Sequence, residues 1–184
     1  MSTYISILRG INVGGHRSVK MEQLKALYAG LGCRKVQTYI QSGNVIFQSE
    51  EVRPQELAKA LATAIAEKYA FDVPVVVMEL NELRQIVADN PYRNEKAKEA
   101  SCLHVTFLAE VPGREKTEQM QREEYLPEEF SLAGRAVYLY CPNGYGNSRL
   151  TNGFFEHRLQ VAATTRNWKT VNELLRLAEE IAAG

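Results

Sequence analysis

Residues 36–48 read V-Q-T-Y-I-Q-S-G-N-V-I-F-Q, and this stretch decides the fold. Two runs rich in β-branched and aromatic residues flank Ser42-Gly43-Asn44, the composition of a tight turn between antiparallel strands. The hairpin sits between two helical patterns. Upstream, Met21, Leu24, Leu27 and Tyr28 share one stripe within 19–31, with Ser18 placed to cap the start and Gly32 to stop the end. Downstream, Pro54 opens a helix to about Tyr69 that turns Leu57, Leu61 and Ile65 inward. Beyond the helices lie an isoleucine-rich strand over 3–12 and a β-branched strand over 73–78, whose Pro74 suits a sheet edge. The order is β-α-β-β-α-β, the ferredoxin-like unit.

The same order begins again after a helix over 80–88 and the polar stretch 92–100. A strand at 103–108, a charged helix at 115–124, a hairpin at 129–140 turning near Gly134 and a helix at 148–159 repeat the first half element by element. The last strand is degraded: only 161–165 can supply it. An extra helix over 171–181 follows, with Thr170 and Glu173 spaced as a capping box. The expectation is an α+β protein of two ferredoxin-like halves, 1–90 and 101–184, packed as one compact unit.

Composition narrows the function classes. The 184 residues carry no net charge, which gives no global attraction to nucleic acid or membrane. Charge is nonetheless segregated. Residues 1–35 hold Arg9, Arg17, Lys20, Lys25, Arg34 and Lys35 against Glu22 alone, and 142–170 hold Arg149, Arg158, Arg166 and Lys169 against Glu156. Residues 110–129 hold seven glutamates against Arg114, Lys116 and Arg122. Cys33, Cys102 and Cys141 are too scattered for a disulfide framework or zinc site and read as thiols of a reducing cytoplasm. The first residues lack a secretory pattern, and no run approaches ~18 apolar residues, so no membrane association is expected.

Two polar tracts mark the candidate site: N-G-Y-G-N-S-R-L-T-N at 143–152 and A-T-T-R-N-W-K-T-V at 163–171. They set arginines, amides, hydroxyls and the single tryptophan near two helix starts, where backbone donors and the helix dipole favour anions. Asn147 or Ser148 would cap the first helix, which puts Arg149 in its opening turn, against the dipole. Arg166 with Trp168 forms a pair able to clamp a planar or phosphorylated ligand. Arg9 falls on the same strand face as Ile5, Ile7, Ile11 and Val13, where a guanidinium needs an anionic partner. The loop at 10–18 is glycine-rich yet matches neither dinucleotide nor P-loop fingerprints, and no cofactor is implied. His16, His104 and His157 show no metal spacing, and no nucleophile signature occurs.

The motifs I-L-R-G-I-N-V-G-G, Q-S-G-N-V-I-F, G-Y-G-N-S-R-L-T-N and A-T-T-R-N-W-K-T-V together resemble the bacterial domain-of-unknown-function family numbered 1697. The resemblance implies two ferredoxin-like halves and a bacterial cytoplasmic protein, and it implies no activity. Three readings follow. The first is an anion-binding protein in which Arg9, Asn12, Asn44, Arg149, Thr151, Asn152, Thr165, Arg166, Asn167 and Trp168 from both halves meet a nucleotide, phosphometabolite or short nucleic acid. The second is an enzyme with Glu156 as acid–base group beside an arginine-held anion. The third is an interaction module whose polar motifs are structural. The oligomeric state is open.

Overall fold

The computed structural model describes residues 1–121 and 123–184, so Arg122, one of the cations counted in the acidic segment, lies outside the described residues. The chain divides into two compact units, Met1–Arg84 with Glu173–Gly184, and Gln85–Asn172. The division falls inside two helices rather than in the 92–100 stretch.

In the first unit, β1 (Ser2–Leu8), α1 (Met21–Gly30), β2 (Arg34–Tyr39), β3 (Asn44–Ser49), α2 (Pro54–Tyr69) and β4 (Val75–Glu79) follow the expected order. The four strands form one antiparallel sheet in the order β2-β3-β1-β4, the ferredoxin-like arrangement, with β4 at an edge. Strand alternation turns Tyr4 and Leu8, Val45 and Phe47, and Val75 and Val77 toward one buried cluster with Leu24, Leu27 and Tyr28 of α1 and Leu57, Leu61 and Ile65 of α2. Tyr28 meets Phe47 edge-on at 5.2 Å and shares a buried 2.6 Å hydrogen bond with Ser6. Helix α1 starts at Met21 with Lys20 as its cap residue, later than Ser18 would place it. Residues from the far end of the chain complete this unit: Arg84 makes two 2.6 Å hydrogen bonds to the Glu179 carboxylate, and Gln48 donates to the carbonyl of Ile181.

Strand β1 ends at Leu8, short of the expected 3–12, and this changes the reading of Arg9. The backbone is left-handed at Gly10 and Asn12, which breaks the two-residue alternation. Ile11 therefore packs beside Leu8 in the helix-side cluster, while Val13 is exposed. Arg9 stands half-buried just past the strand end, its amide donating to the carbonyl of Pro74.

The second unit repeats the pattern with β5 (Leu103–Leu108), α4 (Arg114–Gln121), β6 (Glu129–Ala133), β7 (Ala136–Tyr140), α5 (Asn152–Leu159) and β8 (Ala163–Asn167). Its antiparallel sheet has the order β6-β7-β5-β8. Leu108, Val137, Leu139 and Ala163 form its helix-side cluster with Met120, Phe155 and Leu159. The closing strand is as long as β4 and pairs with β5 over five positions, from His104↔Asn167 to Leu108↔Ala163. It reads as degraded because hydroxyls replace apolar side chains: the Thr165 hydroxyl hydrogen-bonds Thr106 at 2.7 Å and donates to Asn152 at 2.7 Å.

The final helix lies outside the second βαββαβ order, as expected, and it has a counterpart in the first half. Helix α3 (Leu80–Ala88) follows β4 just as α6 (Trp168–Ala183) follows β8, so each βαββαβ order is succeeded by a helix. Helix α6 begins three residues before the expected start at 171. Its start is closed by Asn167, whose Oδ1 accepts the Thr170 amide at 2.8 Å. Trp168 thereby enters the first turn instead of preceding the helix.

Candidate functional site

The first-unit candidates are engaged within the fold. Asn12 donates through Nδ2 to the carbonyls of Val19 at 2.9 Å and Gln41 at 2.8 Å, and its Oδ1 accepts the Val19 amide at 2.8 Å. One side chain thus pins the 10–19 loop to the turn that follows β2. Asn44, fully buried, donates to the Tyr39 carbonyl and to the Ser42 hydroxyl. Around these pins the backbone is left-handed at Asn12 and Arg17. Arg17 lies 5.9 Å from the Phe71 ring centroid.

In the second unit the two polar tracts serve different ends. Helix α5 starts at Asn152, so Thr151, not Asn147 or Ser148, is its cap, with Oγ1 accepting the Phe154 amide at 3.2 Å. Arg149 consequently precedes the helix and does not face its dipole. Its amide donates to Glu128 at 3.2 Å, its Nη2 donates to the Tyr125 carbonyl at 2.9 Å, and its guanidinium lies 5.3 Å from the Tyr125 ring. Glu156 accepts the Ala163 amide on Oε1 at 3.0 Å, which anchors the start of β8.

Asn152, Thr165, Arg166, Asn167 and Trp168 gather around the end of β8 and the start of α6. Strand β8 lies at the edge of its sheet, and Arg166 is its penultimate residue. Its Nη1 donates to the carbonyl of Thr165 at 3.0 Å. Burial pulls the guanidinium down from its ordinary value to about 10, with Tyr145 acting in the opposite direction. Tyr145 belongs to a short 3₁₀ turn, Tyr145–Asn147, and stacks on His104 with ring centroids 5.0 Å apart. His104 is the register partner of Asn167. Burial lowers the His104 pKa, with a backbone hydrogen bond to Cys102 acting in the opposite direction. In sequence His104 shows only that it lacks metal spacing, and nothing within the first tract singles out Tyr145; strand register, which sets His104 opposite Asn167, brings the ring pair to the second tract.

Among the described residues no group of three or more His, Cys, Asp or Glu is placed to hold a metal ion. No described helix is long and apolar enough to cross a membrane.

A sequence model of the family described as "Protein of unknown function (DUF1697)" matches residues 1–138. The chain belongs to the DUF1697 family. The matched stretch contains Arg9, Asn12 and Asn44, while Arg149 through Trp168 lie beyond it. A conserved bacterial protein from Streptococcus pneumoniae has the same fold as this DUF1697 chain, with a TM-score of 0.72 at 22% identity over 96% of this chain and 98% of that one. No curated protein matches the chain.

Proposed function

We propose that this DUF1697 protein binds a phosphate-bearing small molecule, of nucleotide or phosphometabolite class, in its second unit at the β8–α6 junction. One observation carries the reading: Arg166, half-buried on an edge strand, lies near Tyr145 of the Tyr145–His104 ring pair and directly precedes the capped start of α6. A guanidinium takes an anion through short charge-assisted hydrogen bonds, which a low local dielectric strengthens. Tyr145, in its 3₁₀ turn, lies near Arg166, and Trp168 follows Arg166 by two residues at the start of α6; both rings suit a planar group carried by the same ligand. The setting we propose is a bacterial cytoplasm, in keeping with three free thiols.

A structural role for the polar motifs is favoured for the first unit, where Asn12 and Asn44 spend their amides on backbone carbonyls. The ligand reading is therefore confined to the second unit. Glu156 is given no acid–base role here, since Ala163 occupies one of its oxygens.

The test uses the single tryptophan, which sits next to Arg166 but one. Emission of Trp168 is followed while nucleotides, sugar phosphates and short RNA and DNA are added at low salt. A saturable change with one phosphate class is expected, and Arg166→Ala should weaken it by about tenfold to a hundredfold, the worth of one charged hydrogen-bonding group. No change with any ligand, together with a sharply lowered melting temperature for Arg166→Ala, would make Arg166 a structural residue and overturn the proposal.

A further inference from the structure

Two of the three cysteines lie just beyond the paired ends of neighbouring strands, Cys102 before β5 and Cys141 after β7. The β5–β7 register runs from Phe107↔Ala136 to Leu103↔Tyr140, and its next step brings Cys102 opposite Cys141. The Cys141 amide donates to the Cys102 carbonyl at 2.9 Å, which fixes that step. Directly opposed residues of an antiparallel pair present their side chains on the same face, with Cβ atoms ~5 Å apart. A disulfide needs Cα atoms ~4.4–6.8 Å apart and Cβ atoms ~4 Å apart, so closure asks for a shift of ~1 Å.

The position at the ladder's end permits that shift. The Cys102 amide donates to Glu99 in a 3₁₀ turn, not across to Cys141, so only one backbone bond ties the pair together. Neither sulfur is strongly held. Cys102 Sγ donates to the Pro142 carbonyl at 3.9 Å, and Cys141 Sγ donates to the Ser148 hydroxyl at 3.7 Å, both long even for sulfur. Cys102 is half-buried and open to a small oxidant, while Cys141 is fully buried. Burial raises the Cys141 thiol pKa, and Cys102 is among the groups that add to the rise, as neighbouring thiolates do.

We propose that Cys102 and Cys141 are a reversible redox pair that closes to an intramolecular disulfide on reaction with a peroxide. The Cys102 thiolate attacks one peroxide oxygen, the O–O bond breaks, and the departing oxygen leaves as water after taking up a proton. Cys102 is then a sulfenic acid. The Cys141 sulfur attacks the Cys102 sulfur, the S–S bond forms, and the sulfenic oxygen leaves as a second water with the Cys141 proton. Two thiols are oxidised by two electrons and one peroxide is reduced to two waters. Half-burial of the attacking sulfur and full burial of the resolving one favour the intramolecular product over a bond between chains. A cytoplasmic disulfide of this kind is transient and sensing rather than structural.

The change falls on a defined segment. Closure removes both S–H donors, which releases the Pro142 carbonyl and the Ser148 hydroxyl at the two ends of the stretch that carries Tyr145. The pairing itself does not depend on the anion reading, and its test is independent of any ligand.

Cys33 is the internal control. It is buried in the first unit, and burial pushes its thiol up to about 11, so it resists oxidation. The reduced, folded full-length chain is treated with hydrogen peroxide, unfolded, alkylated and digested, and the peptides are weighed. The expected result is loss of two of the three alkylatable thiols, a linked peptide joining Cys102 to Cys141 in monomeric protein, and recovery of all three thiols with dithiothreitol. In Cys141→Ser, dimedone should label a sulfenic acid on Cys102; in Cys102→Ser, Cys141 should remain a thiol. Three alkylatable thiols after peroxide, over-oxidised Cys102 without a linked peptide, a bond to Cys33, or bonds only between chains would each overturn the proposal.

Discussion

Replacing Gly43 with alanine tests the packing of the turn that joins β2 to β3. Gly43 has φ +83, a conformation that costs an L-residue about 1–2 kcal/mol. The added methyl would also stand 2.7 Å from Leu8 Cβ and 2.8 Å from Ile11 Cδ1. Leu8 Cβ is fixed to the β1 backbone, and Ile11 is buried, so neither yields without moving the core; such overpacking costs about 1–3 kcal/mol. The sum is about 2–5 kcal/mol, a large share of the ~5–15 kcal/mol that holds a domain folded. Gly134→Ala is the matched control, because Gly134 has φ +57 and nothing within 4 Å of the new Cβ. It should lose only the backbone contribution, about 1–2 kcal/mol. Urea melts followed by circular dichroism would show the Gly43→Ala midpoint lowered by at least about 0.5 M relative to Gly134→Ala, at ordinary m-values. Equal losses for the two variants would refute the reasoning, since the clash would then contribute nothing.

Two further outcomes follow from named side chains. Asn12→Ala removes three hydrogen bonds and places alanine at φ +55; a loss of about 2–4 kcal/mol is expected in the same melts, with a smaller loss for Asn12→Gly, which keeps the backbone at ease. His104 has its pKa lowered from 6.5 by burial, so the unfolded chain takes up its proton first as pH falls. Stability from this group is complete above 6.5 and declines below it until the lowered folded value is reached; His104→Phe, which keeps a ring against Tyr145, should flatten that part of the stability–pH curve, as melting temperatures from pH 7.5 to 4.5 would show.

Most of the architecture was legible because each unit is written in local signals. The Ser-Gly-Asn turn, the proline at the start of α2 and the glycine at the β6–β7 turn mark the two hairpins and the order of elements along the chain without long-range information. The misreadings share one physical origin: polar side chains that pair with partners distant in sequence. Thr165 makes β8 look degraded until Thr106 and Asn152 are seen to satisfy its hydroxyl. Asn167 caps α6 ahead of the Thr170–Glu173 pattern because β8 ends there and delivers its amide to the helix start. The alternation that put Ile11 and Val13 on one face with Arg9 fails at two left-handed residues, only one of which is a glycine. For the candidate site, the tracts were visible but their hydrogen bonds were not. Arg149 and Arg166 look alike in sequence, yet the first reaches Tyr125 and Glu128 while the second is drawn into the β8–α6 junction. The opposition of Cys102 and Cys141 depends on strand register across a 38-residue gap and has no local signature.

The anion site is tested most directly by following arginine Nε–H and backbone amide resonances as pyrophosphate is added at low salt. The Arg166 Nε–H, the amides of 145–148 and those of 167–170 should shift together and saturate at one common concentration. Unsaturated shifts spread over exposed cations such as Arg114 and Arg158, with Arg166 unmoved, would contradict the account.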